Sequence, residues 1–272
     1  MYNSNKFSLL MSVYFNEKPE YIEQCLISIL NNSILPFETV IVFDGPVSSE
    51  IENVFLKYAE KLNVKLVRLQ ENLGLGFALN AGLEACTCSL IARMDADDIC
   101  EPNRFAQQLH LFAKNNRLDL AGSVIVEYDD SMINKLGVRT VPLTHDEILK
   151  GCKLRNPFNH MTVMFKKTAV MDAGGYQPHL FMEDYNLWIR MITAGAVTIN
   201  VTTPGVKVRA GSAMIERRKG LKYIKSEWQL TKLKIQKKLC NPAEGMIYFV
   251  LRSAPRLFSV SLLKVIYRNL RK

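Results

Sequence analysis

Three carboxylates fall within four residues, at Asp95, Asp97 and Asp98, directly after the apolar run Ser89–Met94. Crowded like charges make one another harder to ionise, so such a turn must be solvated, hydrogen-bonded or matched by a cation. A hard divalent ion suits oxygen donors of this kind, and a diphosphate can complete its shell. A solvated acidic turn is the competing reading. A second acidic pair, Glu183-Asp184, opens a helical pattern; it either complements the helix N-terminus or supplies a general base. Asp44, ahead of Gly45, is either a turn former or a ligand contact.

Three rival motifs fail on spacing. A calcium loop beginning at Asp95 needs glycine at its sixth position, where Cys100 stands. An aspartate-nucleophile phosphatase wants Thr or Val where Ile99 lies, and after a first strand, not a fourth. Gly74-Leu75-Gly76 has Leu79 in place of the third glycine of a dinucleotide fingerprint.

The elements that must position these residues alternate. Phe7–Val13 reads as a buried parallel strand, and Pro19-Glu20 opens a helix with Tyr21, Ile22, Cys25, Leu26, Ile29 and Leu30 at helical spacing. Thr39–Phe43 is a second strand ending on Asp44, and Ser49 is placed to cap the next helix. Val64–Leu69, a helix at Phe77–Ala85 and the strand Ser89–Met94 complete the series. The pattern predicts an α/β fold with a doubly wound, mostly parallel sheet and helices on both faces, because right-handed crossovers place them there. Ligands bind outside the carboxyl ends of such strands, where Asp44 and Asp95 both fall. The second half reads less regularly. It gives a helix at Asn103–Asn115, strands near Leu120–Glu127, Leu136–Val141 and Met161–Phe165, helices at His145–Gly151, Lys167–Asp172 and Asp184–Ala194, and three basic helices from Ala213 onward.

The 272 residues carry 35 basic and 26 acidic side chains, unevenly spread. From Gly205 to Lys272 there are 17 lysines and arginines against 3 acidic residues, leaving 18 basic against 23 acidic in the first 204. An acidic body with a basic tail results, and such a tail commonly addresses a polyanion. No basic-then-apolar leader opens the chain and no apolar run reaches membrane-spanning length. Six scattered cysteines, Cys25, Cys86, Cys88, Cys100, Cys152 and Cys240, read as reduced thiols of a cytoplasmic protein.

Several further segments fall in a telling order. They are Ser12-Val13-Tyr14-Phe15-Asn16-Glu17, Asp44-Gly45, Asn72-Leu73-Gly74 with Ala78-Leu79-Asn80-Ala81-Gly82, Ile91–Asp98, Pro102-x-Arg104 with Gln108, Gly174-Gly175-Tyr176 and Glu183-Asp184. Over about residues 7 to 210 the chain resembles the family-two inverting glycosyltransferases of GT-A fold, above all the bacterial enzymes of O-antigen, capsule and exopolysaccharide assembly. The resemblance implies a nucleotide-sugar-binding catalytic region at residues 1–210 and a basic helical region at 211–272. It implies that Ser12 and Tyr14 line the nucleobase pocket and that Asp44 accepts from base or ribose. Arg93, Asp95 and Arg104 would contact the nucleotide sugar. Asp97, with Asp95, would ligate Mn²⁺ or Mg²⁺ across the diphosphate, and Asp184 beside Glu183 would be the catalytic base. His160, in Asn156-Pro157-Phe158-Asn159-His160, stands between an acceptor-side role and a structural one. A metal at the leaving group and a distant base are what single-displacement inversion requires, and nothing marks a covalent nucleophile. The Gln-x-x-Arg-Trp motif of processive synthases is missing from the sequence, which points to transfer of one sugar.

The expected donor is a UDP-sugar carrying glucose or galactose, and the expected acceptor an N-acetylhexosamine on a polyprenyl diphosphate. Arg256–Lys272 mixes apolar with basic residues in the manner of an interfacial helix, which predicts a cytoplasmic enzyme peripheral to the anionic inner membrane; packing of that helix on the catalytic region is the alternative. A sugar-nucleotide nucleotidyltransferase is disfavoured because Ser12–Glu17 lacks a glycine-rich, basic phosphate loop. A nucleic-acid-binding role through the tail is disfavoured by the acidic body, and no nucleic acid is expected as a partner.

Overall fold

The computed structural model describes residues 6–210 and 220–257. Strands β1 (Ser8–Val13), β2 (Glu38–Phe43), β3 (Val64–Arg68) and β4 (Leu90–Arg93) pair in parallel, in the order β3-β2-β1-β4. Helices α1 (Pro19–Leu30), α2 (Ser49–Lys57), the short α3 (Ala59–Leu62) and α4 (Leu75–Ala85) make the crossovers. The register pairs Val13 with Phe43, so the two chains leave the sheet side by side and carry Tyr14 and Asp44 to one edge.

Alternation along each strand sends side chains to opposite faces. Leu9, Met11, Val13, Ile41 and Phe43 pack with α1, α2 and α5 (Arg104–Lys114). Leu10, Val40, Val42 and Ile91 pack with α4 and α8 (Glu183–Thr193). Both faces are covered, as strands with apolar side chains on both faces require.

Beyond β4 the sheet is mixed. The three-residue β8 (Met164–Lys166) runs antiparallel to both β4 and β6 (Leu118–Tyr128), and β6 pairs in parallel with β9 (Val197–Arg209). Strand β9 in turn carries the two-residue β5 (Ile99–Cys100), and β7 (Lys135–Arg139) flanks β6. The expected strand at Met161–Phe165 is therefore shorter, because His160–Thr162 coils into a 3-10 turn. Helices α6 (His145–Gly151) and α7 (Lys167–Asp172) stand where the pattern placed them. The cap of α2 is Ser48, not Ser49: its hydroxyl accepts from Ile51 N at 3.3 Å.

The C-terminal part forms a hairpin of α9 (Leu221–Gln236) and α10 (Pro242–Ser253). Of the three basic helices expected from Ala213 onward, the start and the third lie outside the described residues, as does most of the interfacial segment Arg256–Lys272.

Gly45 makes the chain's turn at the site edge. Its φ is +86°, and an added Cβ would lie 2.7 Å from Asn72 N and 3.0 Å from Glu71 C, both backbone atoms that cannot swing aside. Gly45→Ala is expected to cost about 1–3 kcal/mol of unfolding free energy through strain in the left-handed region and steric displacement of the 71–72 backbone; denaturant unfolding against the parent chain measures it.

Candidate active site

The three clustered carboxylates stand just past β4, with one oxygen from each lying within 4.8 Å of the others. They differ in surroundings. Asp95 is partly exposed and ion-paired with the buried Arg93. Asp98 is buried and accepts Arg209 N at 3.0 Å, while Arg209 Nε donates to Asp97 O at 2.6 Å. The same guanidinium reaches Asp130 O at 2.6 Å, pairs with Gln24, and stacks 3.9 Å above the Tyr21 ring. Arg209 therefore clamps the acidic turn from the far end of β9. Nothing in the sequence singles it out, since the Asp97-Asp98 turn it holds lies more than a hundred residues away.

Burial and then the Asp95 charge push Asp97 up to about 6, and burial followed by Asp97 and Asp95 drives Asp98 well above the carboxylate range. The cluster is thus short of positive charge. Arg93 adds buried, unpartnered Nε and Nη1 atoms. An all-oxygen, partly buried, charge-deficient set of this kind fits Mn²⁺ or Mg²⁺.

Arg104, expected to touch the nucleotide sugar, is 2% exposed and lies behind the site. Its Nη2 donates to Arg93 O at 2.6 Å and Val163 O at 3.4 Å, and its Nε to Gln108 Oε1 at 3.3 Å. Gln108 continues to Thr162 O at 2.7 Å. The Pro102-x-Arg104…Gln108 pattern thus splices the end of β4 to the 160–162 turn. Arg104 supports Arg93 from beneath.

At the neighbouring edge, Ser12 and Tyr14 are half-buried, and the Tyr14 ring meets Phe15 edge-on at 5.6 Å. Asp44 is engaged structurally. Its Oδ1 accepts Leu73 N at 2.8 Å and its Oδ2 accepts Gly74 N at 3.1 Å, closing the Asn72-Leu73-Gly74 turn. Each oxygen keeps a second lone pair for another donor.

Across the cleft, Glu183 and Asp184 begin α8. Asn156 Nδ2 donates to Asp184 Oδ2 at 2.6 Å, and Tyr185 N to Oδ1 at 2.7 Å. Desolvation nevertheless raises the Asp184 pKa, and raises Glu183 to about 7. Burial raises the Tyr176 hydroxyl pKa most, and Arg93, Asp184 and Asp95 all lie near enough for their charges to act on it. That hydroxyl is 2.8 Å from His160 Nε2, and the imidazole packs against Trp188. Burial, then Arg93, holds His160 well below its usual pKa, hence neutral.

Tyr176 is itself fixed by Asn80, which donates to Tyr176 O and accepts from Tyr176 N, both at 2.8 Å. Gly175, at φ +62°, leaves room for that amide, since a Cβ there would stand 2.8 Å from Asn80 Oδ1. Arg190 tightens the turn from below by donating to Gly175 O at 2.6 Å and to Ala173 O. The Ala78–Gly82 and Gly174–Tyr176 segments, read separately in the sequence, are two halves of one joint.

The chain matches the glycosyl transferase family 2 description over residues 9–172 and belongs to that family. It is 44% identical over 266 residues to the amylovoran biosynthesis glycosyltransferase AmsE of Erwinia amylovora, covering 98% of this chain and 99% of that one. It is 38% identical over 222 residues to an Escherichia coli UDP-Gal:α-D-GlcNAc-diphosphoundecaprenol β-1,3-galactosyltransferase, covering 82% and 80% respectively. Among solved structures, S. aureus TarS 1-349 in complex with UDP-GlcNAc superposes with a TM-score of 0.67 at 17% identity, over 91% of this chain and 72% of that one. The fold is that of the GT-A glycosyltransferases.

Two outcomes are expected from this geometry. Protons compete with a cation for Asp97, so Mn²⁺ affinity, read by titration calorimetry, should fall as pH drops through about 6 and level off above it. Asn156 favours the charged form of Asp184. Asn156→Ala should therefore raise the Asp184 pKa further, which carboxyl titration followed by NMR measures.

Proposed function

We propose that the protein is a metal-dependent inverting hexosyltransferase. It moves one hexose, glucose or galactose, from a UDP-sugar to an N-acetylhexosamine-diphosphate-lipid acceptor in bacterial surface-polysaccharide assembly. What supports the reading is the Asp95-Asp97-Asp98 cluster, together with an Arg93 whose charge acts on Asp95 and on Asp184 alike. The names of the two curated relatives support the acceptor and the pathway class.

In this reading Ser12, Tyr14 and Asp44 hold the nucleoside, and Arg93 orients Asp95 towards the ribose. Asp97 and Asp95 hold Mn²⁺ or Mg²⁺, which when bound stabilises the charge growing on the departing diphosphate. Asp184 takes the acceptor hydroxyl proton as the new bond forms at the anomeric carbon and the bond to the UDP oxygen breaks on the opposite face. Asn156 and the Tyr185 amide fix the carboxylate for that task, and Glu183 stands beside it as the second carboxyl of the pair. Neutral His160 and Tyr176 form the acceptor-side wall. Residues 1–210 are the catalytic region, and the basic region 211–272 attaches the enzyme to the inner face of the membrane. Among the described residues no helix is long and apolar enough to cross a bilayer.

UDP release from a panel of UDP-sugars, with a synthetic N-acetylhexosamine-diphosphate-lipid and either Mn²⁺ or EDTA, tests the assignment. Acceptor-dependent release with one donor is expected. EDTA and Asp97→Asn should abolish it, and Asp184→Asn should reduce turnover by about 10²–10⁴ while leaving UDP binding intact. Full activity of Asp184→Asn would remove the base from this site.

A further inference from the structure

Helix α10 has two unlike faces. The inner one is committed: Gly245 lets Ile235 approach to within 2.9 Å of where a Cβ would stand, and Phe249 meets Trp228 edge-on at 5.2 Å. Arg252 forms a two-pronged pair with the buried Glu227, at 2.7 and 2.6 Å. The outer face is an apolar stripe at helical spacing. Met246, Ile247, Val250 and Leu251 are 47, 58, 53 and 59% exposed, with exposed Ala243 at its head. Four large apolar side chains on one turn-to-turn line are more than scattered surface hydrophobes.

The stripe lies in strongly basic surroundings. From Gly220 to Leu257 the chain has six lysines and two arginines against two glutamates. Lys222, Lys225, Lys232, Lys237 and Lys238 are exposed, whereas Glu227 is tied to Arg252 and Glu244 closes the capping box of α10. A second copy of this face would set lysine against lysine. An apolar strip flanked by solvent-facing lysines instead matches an anionic lipid interface, with acyl chains for the stripe and phosphates for the ammonium groups.

The hairpin is also anchored beside the acceptor end of the site. Lys234 Nζ donates to Lys153 O and Arg252 Nη1 to Leu154 O, both at 2.8 Å, two or three residues before Asn156. His179 Nε2 meets Ser226 O at 2.9 Å, Ser226 donates to Leu180 O, and Phe181 stacks on Tyr223 with centroids 5.7 Å apart, just ahead of Glu183-Asp184. Both segments that frame the Asp184 carboxylate are therefore fastened to the α9–α10 hairpin.

We infer that the outer stripe of α10, with the lysines of the hairpin, is a docking surface for anionic phospholipid, and that the hairpin holds the Asp184 side of the cleft at that surface to receive a lipid-linked acceptor. The second clause rests on the lipid-linked acceptor proposed above; the first does not.

Flotation of the full chain with vesicles of phosphatidylcholine alone or mixed equally with phosphatidylglycerol tests it. Binding to the anionic vesicles at low salt is expected. It should fall at least tenfold in Ile247→Glu/Leu251→Glu and in Lys225→Glu/Lys232→Glu. Both variants should keep the parental melting temperature and the parental UDP affinity, since all four side chains are exposed. With acceptor carried in anionic vesicles the stripe variant should raise KM about tenfold, while turnover of a short-chain, water-soluble acceptor stays unchanged. The inference is overturned if the parent chain binds neither vesicle. It is also overturned if the stripe variant binds as well as the parent while deletion of residues 258–272 alone removes binding, which would assign attachment to that segment. A dimer in sedimentation that the stripe substitutions make monomeric would overturn it too, as an interface between copies. Vesicle binding is read without donor turnover, so failure to find a sugar donor would leave this result standing and count only against the proposed reaction.

Discussion

Three carboxylates crowded at the end of one short strand are the constraint that organises this molecule. Left to themselves they would repel, take up protons or unravel the turn. The fold meets that demand from several directions. Arg93 pairs with Asp95 from within β4, Arg209 holds the turn's backbone and Asp98 from β9, and Arg104 bears on Arg93 from behind. These supports are buried or nearly so, which makes each interaction strong and each loss costly. What they leave is a deficit of positive charge facing the cleft, and a divalent ion suits it.

The opposite wall is built on another principle. Asp184 is held by two hydrogen bonds yet remains desolvated enough for its pKa to rise, a balance that suits a proton acceptor better than an exposed carboxylate would. His160 and Tyr176 lie next to it as a neutral, mutually bonded pair. Charge is thus concentrated around the acidic turn and rationed around Asp184.

Much of this was legible in the chain. Alternating buried runs and amphipathic helices gave β1 to β4 and their crossovers, because a parallel sheet covered on both faces leaves strong local signals. The acidic cluster and Glu183-Asp184 stood out by type and position. Strand β9 did not: Thr202-Thr203-Pro204-Gly205 reads as a break, yet the chain continues as strand because its pairing to β6 is shifted there and absorbs the irregularity. Arg209 and Asn156 were equally silent, since an arginine at a strand end and an asparagine before proline have many ordinary reasons to exist. Arg104 stood out by its motif, but its bracing of the Arg93 and Val163 carbonyls from within the core was not legible. Short-range pattern reports elements well; partnerships across a hundred residues appear only when the elements meet.

The joint between Asn80 and Tyr176 has a consequence for building hybrids of this enzyme with its relatives. The two residues are 96 positions apart, but the amide fits only while residue 175 lacks a side chain. A crossover placed anywhere between them would take one half of the joint from each parent. A bulkier residue at 175 from one parent would then collide with Asn80 from the other, and the wall beside His160 would shift. The segments carrying Asn80 and Gly175 are therefore interchangeable only as matched sets, and the compatibility of two parents can be judged at positions 80 and 175 before any gene is spliced.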